Sequence, residues 1–168
     1  KNKRTPLAEI KSVGLSSDAV HETAPDQAGI TRALQDAYSQ ANISPEDVDL
    51  IYVHGTGTEL NDKTESAVLA ATYQQANKRP AISGIKSMIG HTSGASGGIG
   101  VVSAVKSLQQ QVIPPTPGTT KPITDIKAFP IYAQMQKSDL ALVQVNAFGF
   151  GGVNTVVLVA QFEGECNE

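Results

Sequence analysis

Asp49-Leu50-Ile51-Tyr52-Val53 runs straight into His54-Gly55-Thr56-Gly57-Thr58, a short, nearly continuous apolar stretch opening into a polar, glycine-rich loop. Such a run reads as a strand buried on both faces, the kind used by parallel sheets. His54 then falls at the strand's C-terminal end, where α/β sheets present ligand-binding groups. Before it, Asp26 to Asn42 places Ile30, Ala33, Leu34, Ala37, Tyr38 and Ala41 at helical spacing, and Asn42-Ile43-Ser44-Pro45 breaks the pattern. Leu7 to Gly14 reads as an earlier strand. After the loop, Asp62-Lys63-Thr64-Glu65 has an N-cap acid with Glu three residues on, and predicts a helix over Ala67 to Ala76. Ala81-Ile82-Ser83-Gly84 is the next strand candidate. It leads into a second polar loop, Lys86-Ser87-Met88-Ile89-Gly90-His91, and then into a helix of small residues from roughly Ser93 to Gln111.

Strand and helix alternating in this way imply crossover connections and at least a partly parallel sheet. Pro114, Pro115 and Pro117 mark an irregular connection that ends near Pro122. Ala141 to Ala147 and Val153 to Phe162 are β-rich runs on either side of Phe148-Gly149-Phe150-Gly151-Gly152, predicting an antiparallel finish joined by a glycine turn. The expectation is an α/β protein, a mixed sheet covered by helices, with 1–168 as one domain and 163–168 as a disordered tail.

Composition narrows the function. Of 168 residues, 40% are hydrophobic and 17% charged, which is ordinary for a folded α/β domain and too apolar for a disordered chain. The net charge is −3 with scattered basic residues, so the dense Lys/Arg footprint of a nucleic-acid binder is missing. No apolar run approaches the roughly 20 residues that cross a bilayer, and Lys1-Asn2-Lys3-Arg4 leads into no signal-peptide core; no membrane role is expected. That opening reads as an entry in mid-protein. Cys166 is the only cysteine and sits in the polar tail, so no disulfide framework or cysteine metal site is expected, and a reducing, cytoplasmic setting fits.

His54 and His91 both stand in glycine-rich loops after predicted strands, with hydroxyl residues beside them. A single loop histidine is usually structural; two in matching positions point to one shared site. Without a Cys, Ser or carboxylate beside them in the motif, two imidazoles can donate hydrogen bonds to an oxygen that gains charge, as in an enolate. Lys86 lies five residues before His91, where a cation favours neutral imidazole and stabilises developing negative charge. The plainer reading of Lys86 is a solvated loop lysine.

His54-Gly55-Thr56-Gly57-Thr58, Gly84-Ile85-Lys86-Ser87-Met88-Ile89-Gly90-His91 and Asn146-Ala147-Phe148-Gly149-Phe150-Gly151-Gly152-Val153-Asn154 resemble, in order and spacing, the three C-terminal signatures of β-ketoacyl synthases. The resemblance covers nearly the whole chain. It implies a thiolase-like fold, in which two similar α/β halves build a five-layered αβαβα sandwich, with this chain as the C-terminal half. It also implies a decarboxylative Claisen condensation, with no bound cofactor and the substrate carried on the phosphopantetheine of an acyl carrier protein. In the family an acyl group rests on a cysteine of the N-terminal half while a malonyl thioester is decarboxylated and its carbanion attacks. By motif position, His54 and His91 would bind the thioester carbonyl oxygen, Lys86 would organise the site, and Thr56 and Thr58 would hold the phosphopantetheine arm. Phe150 would gate the acyl pocket. The plainer readings are a polar turn for the threonines and core packing for Phe150.

The chain departs from the family pattern in instructive ways. Cys166 matches no catalytic position, so the chain alone is expected to be inactive. Gly100 stands nine residues after His91, where many fatty-acid synthases of the family carry glutamate; this and Thr92 lean toward polyketide-type synthases. The glycine turn at 148–152 lacks the cysteine base of thiolases. Two rivals remain: a chain-length-factor-like subunit, and an acyl- or carrier-protein-binding module without chemistry. The 93–111 helix is expected to be buried all round, because small or apolar residues occupy every face before Lys106. Its partner would be a helix of the absent N-terminal half. Alone, the chain should pair this helix with its own copy in a homodimer.

Overall fold

The computed structural model describes residues 5–21 and 24–164. The readings placed on Lys1 to Arg4, on Cys166 and on most of the tail lie outside the described residues. Strands β1 (Glu9–Ser17), β2 (Leu50–Tyr52), β3 (Ala81–Ser83), β6 (Leu142–Gly149) and β7 (Val153–Ala160) form one sheet in the order β1-β7-β6-β2-β3. β2 is parallel to β3 and β6, whereas β7 is antiparallel to β6 and β1. The sheet is mixed, as expected. The hairpin of β6 and β7 closes through the glycine turn, where Gly151 and Gly152 have φ of 83° and 79°, a conformation L side chains avoid.

Helices α1 (Gln27–Ala41) and α2 (Glu59–Thr72) cover one face, with Ile30, Leu34, Leu69, Val156 and Leu158 in the core between. On the other face α4 (Ser96–Gln110) packs on Leu50, Tyr52, Val143 and Val145 through Ala104 and Leu108. β2 is buried throughout because it is clad on both faces. β1 meets α1 through small residues: Ser12 Oγ donates to the Ala37 carbonyl at 2.7 Å, and Ser16 Oγ to the Gly29 carbonyl at 2.7 Å. A Cβ on Gly14 between them would lie 2.0 Å from the Ala33 carbonyl oxygen.

Two local expectations are corrected, and one small sheet is added. The helix expected from Ala67 begins at Glu59, with extended Thr58 as its N-cap residue, and ends at Thr72. Asp62 is a first-turn acid that accepts from the Gly57 N–H at 3.3 Å, so it serves the glycine loop instead of capping. The second polar loop contains a short helix, α3 (Lys86–Ile89). The connection after α4 carries a small antiparallel pair, β4 (Val112–Ile113) with β5 (Gln136–Lys137).

α4 itself is not buried all round. A Cβ on Gly100 would meet Val145 Cγ1 at 2.6 Å and one on Gly97 would meet Ala147 at 3.4 Å, whereas Gly94 and Gly98 face open space. Val102 is 61% exposed. Two of the glycines thus let the helix sink onto β6, and no described residue covers its far side. Among the described residues no helix is long and apolar enough to cross a membrane.

Candidate active site

The ends of β2 and β6 and the loop before α4 converge on two imidazoles. His54 follows β2 and is 6% exposed. The Phe148 N–H, from the end of β6, donates to its Nδ1 at 3.2 Å. A backbone N–H can only donate, so the neutral ring carries its proton on Nε2. His91 is held alike: the Ser93 N–H donates to Nδ1 at 3.0 Å, and Ser96 Oγ lies 3.2 Å from the same atom. Ser93 achieves this with a left-handed φ of 52°. The two rings stand edge to face with centroids 5.8 Å apart. Burial, then the Lys86 ammonium, then the neighbouring His91 ring lower the His54 pKa to about 3, so its imidazole is neutral near pH 7.

Lys86 opens α3 and donates from Nζ to the His54 carbonyl oxygen. Burial pulls its pKa down against the opposing pull of Glu65 and Asp62. Glu65, on the buried face of α2, accepts the His54 N–H and the Gly55 N–H at 2.9 Å each, together with Asn146 Nδ2 at 2.9 Å. Its three contacts are all donors, the coordination of a carboxylate. Burial raises its pKa against those same hydrogen bonds.

Sequence reasoning missed Glu65 as a site residue, reading it as half of a capping box. The available signal was its spacing. Once the helix starts after Thr58, Glu65 shares a face with Asn61, Val68 and Leu69, an odd place for an acid that has no task. Asp18 was missed too. Its Oδ1 accepts Asn154 Nδ2 at 2.6 Å, its Oδ2 accepts the Asp26 N–H at 3.1 Å, and its own N–H reaches the Gly152 carbonyl at 2.8 Å. The clamp ties the glycine turn to the start of α1.

A cleft of about 590 Å³ brings together His54, His91, Thr56, Thr58 and Phe150. The two threonine hydroxyls lie 2.8 Å apart. Phe150 is 83% exposed, so it packs into no core formed by the described residues. Lys86 does not line this cleft. It stands behind His54 in a neighbouring cavity of about 450 Å³ that shares Thr56, and its hydrogen bond to His54 goes to the backbone.

Among solved structures, the chain is similar to ketosynthases. A beta-ketoacyl synthase from Burkholderia phymatum STM815 superposes with a TM-score of 0.87 at 30% identity over 95% of this chain and 38% of its own. The ishigamide ketosynthase/chain length factor gives 0.86 at 35% identity over 93% and 38%. The fold is therefore that of the thiolase-like ketosynthases. In sequence, residues 7–120 match the family described as "Beta-ketoacyl synthase, C-terminal domain". The chain is also 35% identical over 158 residues to 3-oxoacyl-[acyl-carrier-protein] synthase 2 of Staphylococcus aureus (strain COL), covering 93% of this chain and 38% of that protein. The chain belongs to the β-ketoacyl synthase family, of which it carries the C-terminal domain. It spans 38% of the length of that relative.

Proposed function

We propose that this chain supplies the decarboxylating half of a β-ketoacyl-[acyl-carrier-protein] synthase active site. The observation that carries the reading is the pair of imidazoles, each accepting at Nδ1 and so able to present an Nε2–H, with ring centroids 5.8 Å apart. Two such donors stabilise an oxygen that gains charge. A malonyl thioester carbonyl oxygen sits between them. The bond to the carboxylate carbon breaks, carbon dioxide leaves, and the electron pair forms an enolate whose oxygen keeps both hydrogen bonds. The enolate carbon then attacks the acyl thioester on a cysteine of the N-terminal half, and the cysteine thiolate leaves. Neither imidazole passes on a proton in these steps; their task is electrostatic.

Thr56 and Thr58 hold the phosphopantetheine arm of an acyl carrier protein at the mouth of the cleft, and exposed Phe150 gates the acyl pocket. The N-terminal half covers the open side of α4 in the full protein, and a second copy covers it when the chain stands alone. A chain-length-factor-like subunit or a carrier-binding module needs no fixed imidazoles. The hydrogen bonds invested in His54 favour the catalyst.

The test is decarboxylation of malonyl thioester by the full-length protein. His54→Ala and His91→Ala should each lower the rate by roughly 100-fold or more, the scale of one lost oxyanion donor, with cysteine acylation much less affected. Parent-like decarboxylation by either variant would remove that histidine from the enolate-stabilising role.

A further inference from the structure

Behind Glu65 a chain of buried side chains runs away from the cleft. Asn146 Nδ2 donates to Glu65 at 2.9 Å, Gln144 Nε2 donates to Asn146 Oδ1 at 2.7 Å, and the Tyr38 hydroxyl donates to Gln144 Oε1 at 2.5 Å. The Tyr73 hydroxyl lies 3.3 Å from that of Tyr38. Gln144 and Tyr73 are 0% exposed, Asn146 3% and Tyr38 7%. Gln144 and Asn146 are two apart on β6 and so point to the same face. Four polar side chains are buried among α1, α2 and β6 at little cost only while each keeps its partner, so losing one member leaves its neighbour unpaired.

The order of the chain fixes its direction. A carboxylate only accepts, so Asn146 must turn its N–H₂ to Glu65 and its oxygen to Gln144. Gln144 must then present its own N–H₂ to Asn146 and its oxygen to a donor, and the Tyr38 hydroxyl is that donor. Burial pushes the Tyr38 hydroxyl up to about 12, so it keeps its proton. Remove Gln144 and Asn146 Oδ1 loses its donor; the amide is then free to flip and press an oxygen against the carboxylate on which the His54 and Gly55 amides hang. Lys86, Asp62 and His54 are the other charged or titratable groups facing Glu65, and none of them can hold the Asn146 amide.

We propose that Gln144, with Tyr38 behind it, is a positioning residue for His54, acting through Asn146 and Glu65 on the backbone of the histidine. The proposal rests on His54 stabilising the enolate. Its test uses the full-length synthase that carries this chain, with two readouts: kcat and KM for malonyl-thioester decarboxylation, and hydrogen exchange of residues 53–57. Gln144→Met should lower kcat about tenfold with KM within about twofold, a loss in the range expected for misplacing a catalytic group by a fraction of an ångström. Residues 53–57 should exchange faster while α1 keeps its protection. Tyr38→Phe, which deletes a single oxygen, should act in the same direction at about threefold and decides the matter if Gln144→Met does not fold. Tyr52→Phe is the control: it also deletes a buried hydroxyl, one bonded to Ser107 at 2.8 Å on the α4 side of the sheet, and should leave both readouts unchanged.

Parent-like kcat and exchange in folded Gln144→Met, or in Tyr38→Phe where the first does not fold, would overturn the proposal. So would a Tyr52→Phe that matches the variants in both readouts, because the effect would then be one of general stability. Should the parent itself fail to decarboxylate malonyl thioester, the functional reading falls and exchange at 53–57 alone decides the positioning role.

Discussion

Glu65→Gln is the substitution with the most to say about how the site is held. The carboxylate serves three N–H donors: Oε1 accepts from His54 N and Asn146 Nδ2, and Oε2 accepts from Gly55 N. Glutamine is nearly isosteric but keeps one acceptor. Its best orientation places the oxygen where two donors converge and aims its N–H₂ at the Gly55 N–H, which is then unpaired. An unsatisfied buried donor costs about 1–3 kcal/mol, and two bonds that lose charge assistance weaken by roughly 1 kcal/mol each. The sum is about 3–5 kcal/mol, a large share of the roughly 5–15 kcal/mol that keeps a protein folded. The attraction between Glu65 and the Lys86 ammonium is lost as well. Urea unfolding of the full-length protein measures the loss, and malonyl-thioester decarboxylation measures what it does to His54. Destabilisation below about 1 kcal/mol with an unchanged rate would show that the three donors find other partners, and would refute the hydrogen-bond accounting.

The acid side of the stability profile should carry the signature of buried, neutral His54. Its pKa falls to about 3 from an ordinary 6.5, so the unfolded chain takes up the proton first. The stabilising contribution is whole above pH 6.5 and is lost as pH falls toward 3, at about 1.4 kcal/mol per pH unit. The parent's loss of stability between pH 6.5 and 4 should therefore shrink in His54→Gln, and equal losses would contradict the burial argument. Gly14→Ala should destabilise by about 3 kcal/mol or more, because the new Cβ meets the α1 backbone at Ala33 O and Ala37 N and not a side chain that can turn away; a melting temperature equal to the parent's would show that α1 can shift freely. The 168-residue chain alone should sediment as a dimer at micromolar concentration through the open side of α4, and Gly98→Lys, which has nothing within 4 Å to clash with in the monomer, should yield monomers. A well-behaved parent monomer ends that idea.

The parts of this fold that were legible in the sequence are those whose residues have one physical reason to be where they are. Leu50 to Tyr52 had to be a strand clad on both faces, and the helical spacing between Asp26 and Asn42 had to be α1, to which the structure adds a cap, the Asp26 carboxylate accepting the Gly29 N–H at 2.9 Å. The glycine turn was legible because its φ values demand glycine. Glu65 defeated the reading because an acid early in a helix has two explanations, capping and burial, and only the start of α2 at Glu59 decides between them. Lys86 could be read only as lying near His91 in sequence, since a sequence cannot say whether a lysine faces a cleft or the backbone behind it. The pairing of Gln144 with Tyr38 was invisible for a related reason. They lie 106 residues apart, and a polar residue in a strand reads as solvent-facing until the helix that covers it is in place.

What the assembled site does with charge follows from which atom of His54 each element holds. α2 holds the N–H through Glu65, α3 holds the carbonyl through Lys86, and the end of β6 holds Nδ1 through the Phe148 amide. Opposite charges thus grip the two ends of the histidine's backbone, the anion at the positive end of the peptide dipole and the cation at the negative end. A carboxylate bonded to the ring would have promoted imidazolium and turned His54 into an acid. Here the carboxylate is spent on the backbone, while the ammonium, nearer the ring in its effect, combines with burial to keep the imidazole neutral. Among the described residues no hydrogen bond reaches Nε2. The single polar atom of His54 without a hydrogen-bond partner is therefore Nε2, in a residue that lines the cleft, and a neutral N–H on a ring fixed at every other atom is what the proposed oxyanion role requires of a histidine.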